Sequence, residues 1–201
     1  MKKSVLFSLL LSMPFLASCI TSQHIQPQQI YGIWGCATKY EDIGTGVKDI
    51  VDIKPDGHFR MSGFIFDHTL HKLAKKNIDN YFFSLLSYRT NSAGTWQLKG
   101  NALTYEITND KVTRAISPKV MAEIQKSPGL RELEQKLFDV YSKKERPKEK
   151  DKIELIITRL DENGFTAKQI VGKSQHLSVC KRLTDREREN VFEFFFPLNK
   201  T

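Results

Sequence analysis

From residue 30 onward, apolar and polar residues alternate in short runs separated by turn residues, the pattern of half-buried β-strands. Residues 30–39 form the first run. In 47–54, Val47, Val51 and Ile53 share one face, and in 57–65 Phe59, Met61 and Ile65 do the same. Lys54-Pro55-Asp56-Gly57 between them has turn chemistry, Pro fixing φ and Gly admitting positive φ, so the two runs predict a hairpin. Residues 94–98 and 102–108 flank Lys99-Gly100-Asn101 and predict a second hairpin, with Trp96 and Leu98 on one face and Leu103, Tyr105 and Ile107 on one face of its mate. Runs at 111–116, 153–160, 165–171 and 175–183 complete the series, the last three punctuated by the turn Asp161-Glu162-Asn163-Gly164. About eight short strands joined mostly by tight turns predict a mainly β domain, an antiparallel meander barrel. A β-sandwich, or a barrel filled with side chains, gives the same signals.

Two segments switch period. Over 67–88, Leu70, Leu73, Ala74, Ile78, Tyr81, Phe82 and Leu85 fall at helical spacing behind Asp67 as N-cap, predicting a helical insertion near 67–90. A second insertion, near 117–145, carries two Ser-Pro helix starts: Ser117-Pro118 before Val120, Met121 and Ile124, and Ser127-Pro128 before Leu130, Leu133, Leu137, Val140 and Tyr141. Residues 143–152 are charged and of mixed sign, an exposed connection. In the tail TDRERENVFEFFFPLNK, Thr184 and Glu187 predict a capping box opening a short C-terminal helix. That helix carries Val191, Phe192, Phe194, Phe195 and Phe196, expected to pack on the barrel, with a partner or membrane contact as the alternative.

The first residues follow a different logic. In MKKSVLFSLLLSMPFLASC, two lysines precede an apolar run from Val5 to Leu16, long enough for a signal-peptide core and too short to span a bilayer as a stable helix. The run closes on Leu16-Ala17-Ser18-Cys19, which resembles the lipobox of bacterial lipoproteins. The resemblance implies cleavage before Cys19, acylation of that cysteine, and anchoring to a membrane through the lipid. In those lipoproteins Asp after the cysteine favours inner-membrane retention, so Ile20 implies the outer membrane, with the domain facing the periplasm or the cell surface. The expected organisation is a leader at 1–18, a lipidated cysteine and polar tether at 19–29, and one domain over 30–201.

Removing residues 1–18 leaves 183 of the 201 residues, enough for one domain with a sizeable core, and lowers the formal charge from +8 to +6. That excess reads as a solvated basic surface. Nucleic acid is not an expected partner, because no binding motif accompanies the charge. No nucleophile elbow, phosphate loop or His-Glu-x-x-His is present, so no catalytic residue and no cofactor is assigned and an enzyme is not expected. His68 and His71 lie three apart beside Asp67, and His58 is the nearest further imidazole. They read as exposed side chains rather than metal ligands.

With Cys19 lipidated, Cys36 and Cys180 remain, and an even pair in an oxidising compartment predicts a disulfide, two buried thiols being the alternative. It would close a loop of 144 residues, valued by the chain-entropy model at about 4–5 kcal/mol. If the first and last strands pair antiparallel with Cys36 opposite Cys180, paired residue numbers sum to 216, and Trp34 meets Arg182 on the same face. A guanidinium over an indole contributes about 0.5–2 kcal/mol. Gly32-Ile33-Trp34 resembles the Gly-x-Trp motif that opens the first strand of lipocalins and related calycins, in which a basic residue of the last strand packs across the tryptophan. Gly94-Thr95-Trp96-Gln97-Leu98-Lys99-Gly100-Asn101 is similar to a hairpin of bacterial lipocalin-like lipoproteins. The two helical insertions depart from a simple lipocalin. The resemblance implies a binding module for a small apolar or amphipathic ligand, lidded by the insertions. The competing expectation is an envelope adaptor that binds a protein partner through the insertions or the Phe-rich C-terminus.

Overall fold

The structure, a computed structural model, describes residues 24–42, 44–67, 86–142 and 151–189. Eight antiparallel strands follow one another around a closed barrel: β1 (Gly32–Tyr40), β2 (Thr45–Ile53), β3 (His58–Asp67), β4 (Ser87–Lys99), β5 (Ala102–Arg114), β6 (Asp151–Leu160), β7 (Gly164–Val171) and β8 (Ser174–Arg182). β8 returns to pair with β1, which closes the barrel. The meander expected from the alternation is the observed topology.

Side chains of one parity point inward on each strand. Trp34, Val51, Ile53, Phe59, Trp96, Leu103, Tyr105, Leu155, Ile157, Phe165 and Ala167 make one continuous core around the end where β1 begins. Ile25 and Ile30 belong to it, at 3% and 0% exposure, and the 3₁₀ turn Pro27–Gln29 lies between them. The described part of the segment expected to be a polar tether, residues 24–29, is therefore part of a plug: Ile25 anchors it in the barrel together with Ile30, which was expected in the first strand but lies before β1. Gln-rich composition concealed this, because Ile25 alone anchors the described part of that stretch.

Two strands are longer than the alternation indicates. β5 runs unbroken through Asn109-Asp110, where a bulge inserts Thr108 opposite the Ala93/Gly94 step of β4. The bulge shifts the inward parity from Ile107 to Asp110, so the sequence pattern looks like two strands. β4 begins at Ser87, which corrects the helical reading of residues 87–90. Asp67, expected as the N-cap of that first helical insertion, is the last residue of β3, Leu86 directly precedes β4, and residues 68–85 lie outside the described residues.

The second insertion is a helical hairpin, α1 (Pro118–Lys126) and α2 (Pro128–Tyr141). Ser117 Oγ accepts from Val120 N and Ser127 Oγ from Leu130 N, each at 3.4 Å, with Pro at the first helical position of both. The hairpin packs on the far ends of β4 and β5 in a second cluster, where Leu86, Tyr88 and Ile124 are surrounded by Val112, Leu137, Phe138 and Tyr141. Val140, expected on the packed face, is 53% exposed, and Glu134 takes the buried side of the helix instead. A short helix α3 (Asp185–Glu189) follows β8, opened by the expected capping box: Glu187 N donates to Thr184 Oγ1 at 3.3 Å and Thr184 N to Glu187 Oε2 at 2.9 Å. The Phe-rich residues 191–196 lie outside the described residues. Among the described residues no helix is long and apolar enough to cross a membrane.

Candidate functional site: a plugged barrel with an acidic cavity

The plugged end is built around two residues. Trp34 is fully buried, donates from Nε1 to Ile30 O at 2.8 Å, and meets the Phe165 ring edge-on at 4.9 Å. Arg182, its partner in the β1–β8 ladder, lies across the indole with Cζ 4.1 Å from the ring centroid. The guanidinium also donates to Gln29 O (2.7 Å), Tyr31 O (2.6 Å) and Glu162 O (3.2 Å). One side chain thus joins the last strand to the plug and to the β6–β7 turn. Gly32 has φ +117°, and a Cβ there would stand 2.9 Å from Arg182 Nη1. The glycine of Gly-x-Trp is the space through which the guanidinium reaches those carbonyls. Two residues further along the ladder, Cys36 and Cys180 are joined by a disulfide with Cα atoms 4.0 Å apart.

Beyond the disulfide the barrel is hollow. A cavity of about 340 Å³ runs toward the other end, within the size range of small-molecule pockets. Val47, Val51, Met61, Ile65, Ile107 and Leu155 supply apolar wall, and Thr38, Thr90, Ser92, Gln169 and Ser178 add neutral polar groups. Thr38 and Ser178 hydroxyls bond each other at 2.7 Å, and Tyr40 Oη donates to Gln169 Oε1 at 2.9 Å. The helical hairpin stands at the mouth. Tyr141 of α2 lines the cavity and its hydroxyl is 3.0 Å from Thr45 Oγ1. Behind it, Glu134 accepts from Arg114 through both oxygens, at 2.8 and 3.2 Å, and from Tyr88 Oη at 3.4 Å. Arg114 Cζ sits 3.7 Å over the Phe138 ring.

Asp49 is the cavity carboxyl whose acidity is strongly perturbed. It faces inward from the middle of β2, opposite Cys36 on β1 and Gly63 on β3. A Cβ at Gly63 would fall 2.1 Å from Asp49 Oδ1 and 2.3 Å from Lys48 O, so this glycine gives the carboxyl its room. Asp49 retains partial accessibility, and the space it meets is the cavity. Burial pushes its pKa up to about 7. Its charge in turn adds to the burial that raises Tyr40, pushed up to about 12, and Tyr105. Among the described residues no hydrogen bond or ion pair engages the Asp49 carboxyl.

Trp34, Arg182, Cys36 and Cys180 are thus brought to one seam. Cys19 lies outside the described residues, as do His68 and His71. His58 is exposed at the start of β3 with Nδ1 3.4 Å from Asp56 Oδ1, and among the described residues no three His, Cys, Asp or Glu side chains gather as a metal site. Asp161, in the predicted turn between β6 and β7, accepts from Asn163 N and Gly164 N at 3.0 Å. Sequence reasoning passed over Asp49, Tyr40, Glu134 and the buried His176, whose ring lies 4.8 Å from that of Tyr40. For Asp49 a signal existed: it shares the inward parity of Val47, Val51 and Ile53, and an acid at such a position is out of pattern.

No protein-family model matches the chain, and a comparison with curated proteins gives no significant match. Among solved structures the chain is similar to Rv2717c from M. tuberculosis at 13% identity, covering 78% of this chain and 94% of that one with a TM-score of 0.27.

Proposed function

We propose that this chain is a lipoprotein anchored to the outer membrane through Cys19, and that its barrel is a non-enzymatic binding module for a small apolar or amphipathic molecule. The observation that carries this reading is the cavity of about 340 Å³, which adjoins the core that Ile25, Ile30 and Trp34 complete and is lined at the other end by Tyr141. Its mixture of aliphatic wall and a few polar groups suits an amphipathic guest. The anchor and the plug agree in orientation. Only six residue steps separate Cys19 from the buried Ile25, a reach of at most about 21 Å. A lipid on Cys19 holds the plugged end toward the membrane and leaves the mouth for ligand entry.

The test is native mass spectrometry of residues 20–201, exported to a periplasm and purified without detergent, before and after addition of short-chain amphiphiles. A one-to-one adduct, displaced by enlarging a cavity wall residue such as Val47→Trp, is the expected result. A protein that takes up none of the amphiphiles would overturn the binding reading. Incorporation of labelled palmitate by the full chain, abolished by Cys19→Ser, is the expected outcome for the anchor.

A further inference from the structure

The lining of the cavity has a sign. Six of its residues carry titratable groups: Tyr40 on β1, Asp49 on β2, Tyr105 and Asp110 on β5, Tyr141 on α2 and Lys152 on β6. Asp110 accepts a hydrogen bond from Ser92 Oγ at 2.7 Å, and the Lys152 side chain is 60% exposed with Nζ 3.9 Å from Glu106 Oε1. The lysine therefore directs its charge to the surface. Asp49 is the exception: it is deep in the barrel, on the cavity wall, and without a polar partner among the described residues.

Burying a carboxyl without a partner is costly, and an apolar residue would fill the position better for stability alone. The surroundings go further in accommodating it. Gly63 is the residue opposite, and any side chain there would meet Asp49 Oδ1. Tyr40 and Tyr105 place two phenols on the same cavity, both within the electrostatic reach of Asp49. An ionised carboxylate in this lining repels an anionic head group and attracts a cationic one, and the phenol oxygens add hydrogen-bond acceptors.

We infer that the ligand of this cavity is an amphipathic amine, its ammonium docking on the Asp49 carboxylate beside Tyr40 and Tyr105 and its hydrocarbon part lying against Val47, Met61 and Ile65. This deepens the binding reading above and rests on it. A fatty acid, the more familiar kind of amphiphile, is disfavoured by the same charge.

Binding then carries a pH signature. The ammonium recognises the ionised acid, and Asp49 in the empty cavity titrates at about 7. Affinity for an amine should fall on the order of tenfold for each pH unit below that midpoint and level off above it, until the amine itself loses its proton near ~10.4.

The experiment is calorimetric titration of residues 20–201, which contain the whole barrel, with octylamine, octanoate and octanol at pH 5, 6, 7 and 8. Octylamine binding most tightly at pH 8, with the stated decline toward pH 5, is the expected result. Asp49→Asn should remove both the amine preference and the pH dependence while octanol still binds, which shows the variant folded. Octanoate binding at pH 8 as tightly as octylamine, or an unchanged octylamine affinity in Asp49→Asn, would overturn the amine inference and leave the binding module standing. Failure of all three probes to bind would overturn both.

Discussion

Arg182 lies over the Trp34 ring while its three nitrogens donate to the carbonyls of Gln29, Tyr31 and Glu162. Cation–π contact and hydrogen bonds come from a single planar group, and only arginine has the fork that reaches all of them. Arg182→Ala removes the cation–π contact and leaves two carbonyls at the plug and one in the β6–β7 turn without their donor. A loss of about 3 kcal/mol is expected in urea unfolding. Arg182→Lys keeps the charge without the fork and should recover less than half of that. A lysine variant as stable as the parent would mean that charge alone holds the plug.

How much of this was legible in the chain depends on which forces left a trace in the pattern. The Trp34–Arg182 pairing was readable because two cysteines set a register, and register fixes every other pair in an antiparallel ladder. The first half of β4 was hidden for a reason tied to the site. Its inward residues after Tyr88 are Thr90 and Ser92, which line the cavity and give no apolar alternation. A hollow barrel writes a weaker strand signal than a filled one. The buried Glu134 was hidden likewise, since its burial is set by Arg114 on a strand distant in sequence. Periodicity reports what a helix buries on average, and a single buried ion pair turns the face without altering the average.

Asp49 should make stability fall as pH rises. Its folded-state pKa is about 7, above the ordinary value of 3.8 that it regains on unfolding. Below the lower value both states are protonated and the residue costs nothing. Between the two the unfolded chain releases a proton that the folded barrel keeps, so the unfolded state is favoured increasingly; above the higher value the cost is constant. The full penalty is on the order of 2–4 kcal/mol. Denaturation midpoints of the parent and Asp49→Asn, compared from pH 4 to pH 8, should diverge by this amount, with the asparagine variant the more stable at pH 8. Parallel profiles would show that the carboxyl is solvated in the folded barrel.

Gly63 should be among the least replaceable residues of β3. An added methyl would meet Asp49 Oδ1 at 2.1 Å and the Lys48 carbonyl at 2.3 Å. The second contact is with backbone, so the β2–β3 ladder itself must shift. Gly63→Ala should cost about 3 kcal/mol or more, measured by thermal unfolding. Adding Asp49→Ala to it should restore only part of the loss, because the carbonyl remains. Complete restoration would place the whole clash on the carboxyl side chain.

The Arg114–Glu134 pair should hold the mouth rather than the barrel. Glu134 is buried on α2, Arg114 is at the end of β5, and the bidentate contact is reinforced by Tyr88 Oη and by Phe138 beneath the guanidinium. With Glu134 removed, Arg114 keeps its partial exposure, so the cost is below that of a wholly buried pair, about 2 kcal/mol. The loss falls on the second hydrophobic cluster, which shares no residue with the core around Trp34. Glu134→Ala should therefore accelerate amide hydrogen exchange across α1 and α2 by about 30-fold, while β1, β7 and β8 exchange as in the parent. The same variant should bind and release cavity ligands faster with little change in affinity, because Asp49 and its surroundings are untouched. Uniform acceleration across all eight strands would instead make the hairpin part of the barrel's own cooperative unit, and the mouth would then open only when the barrel does.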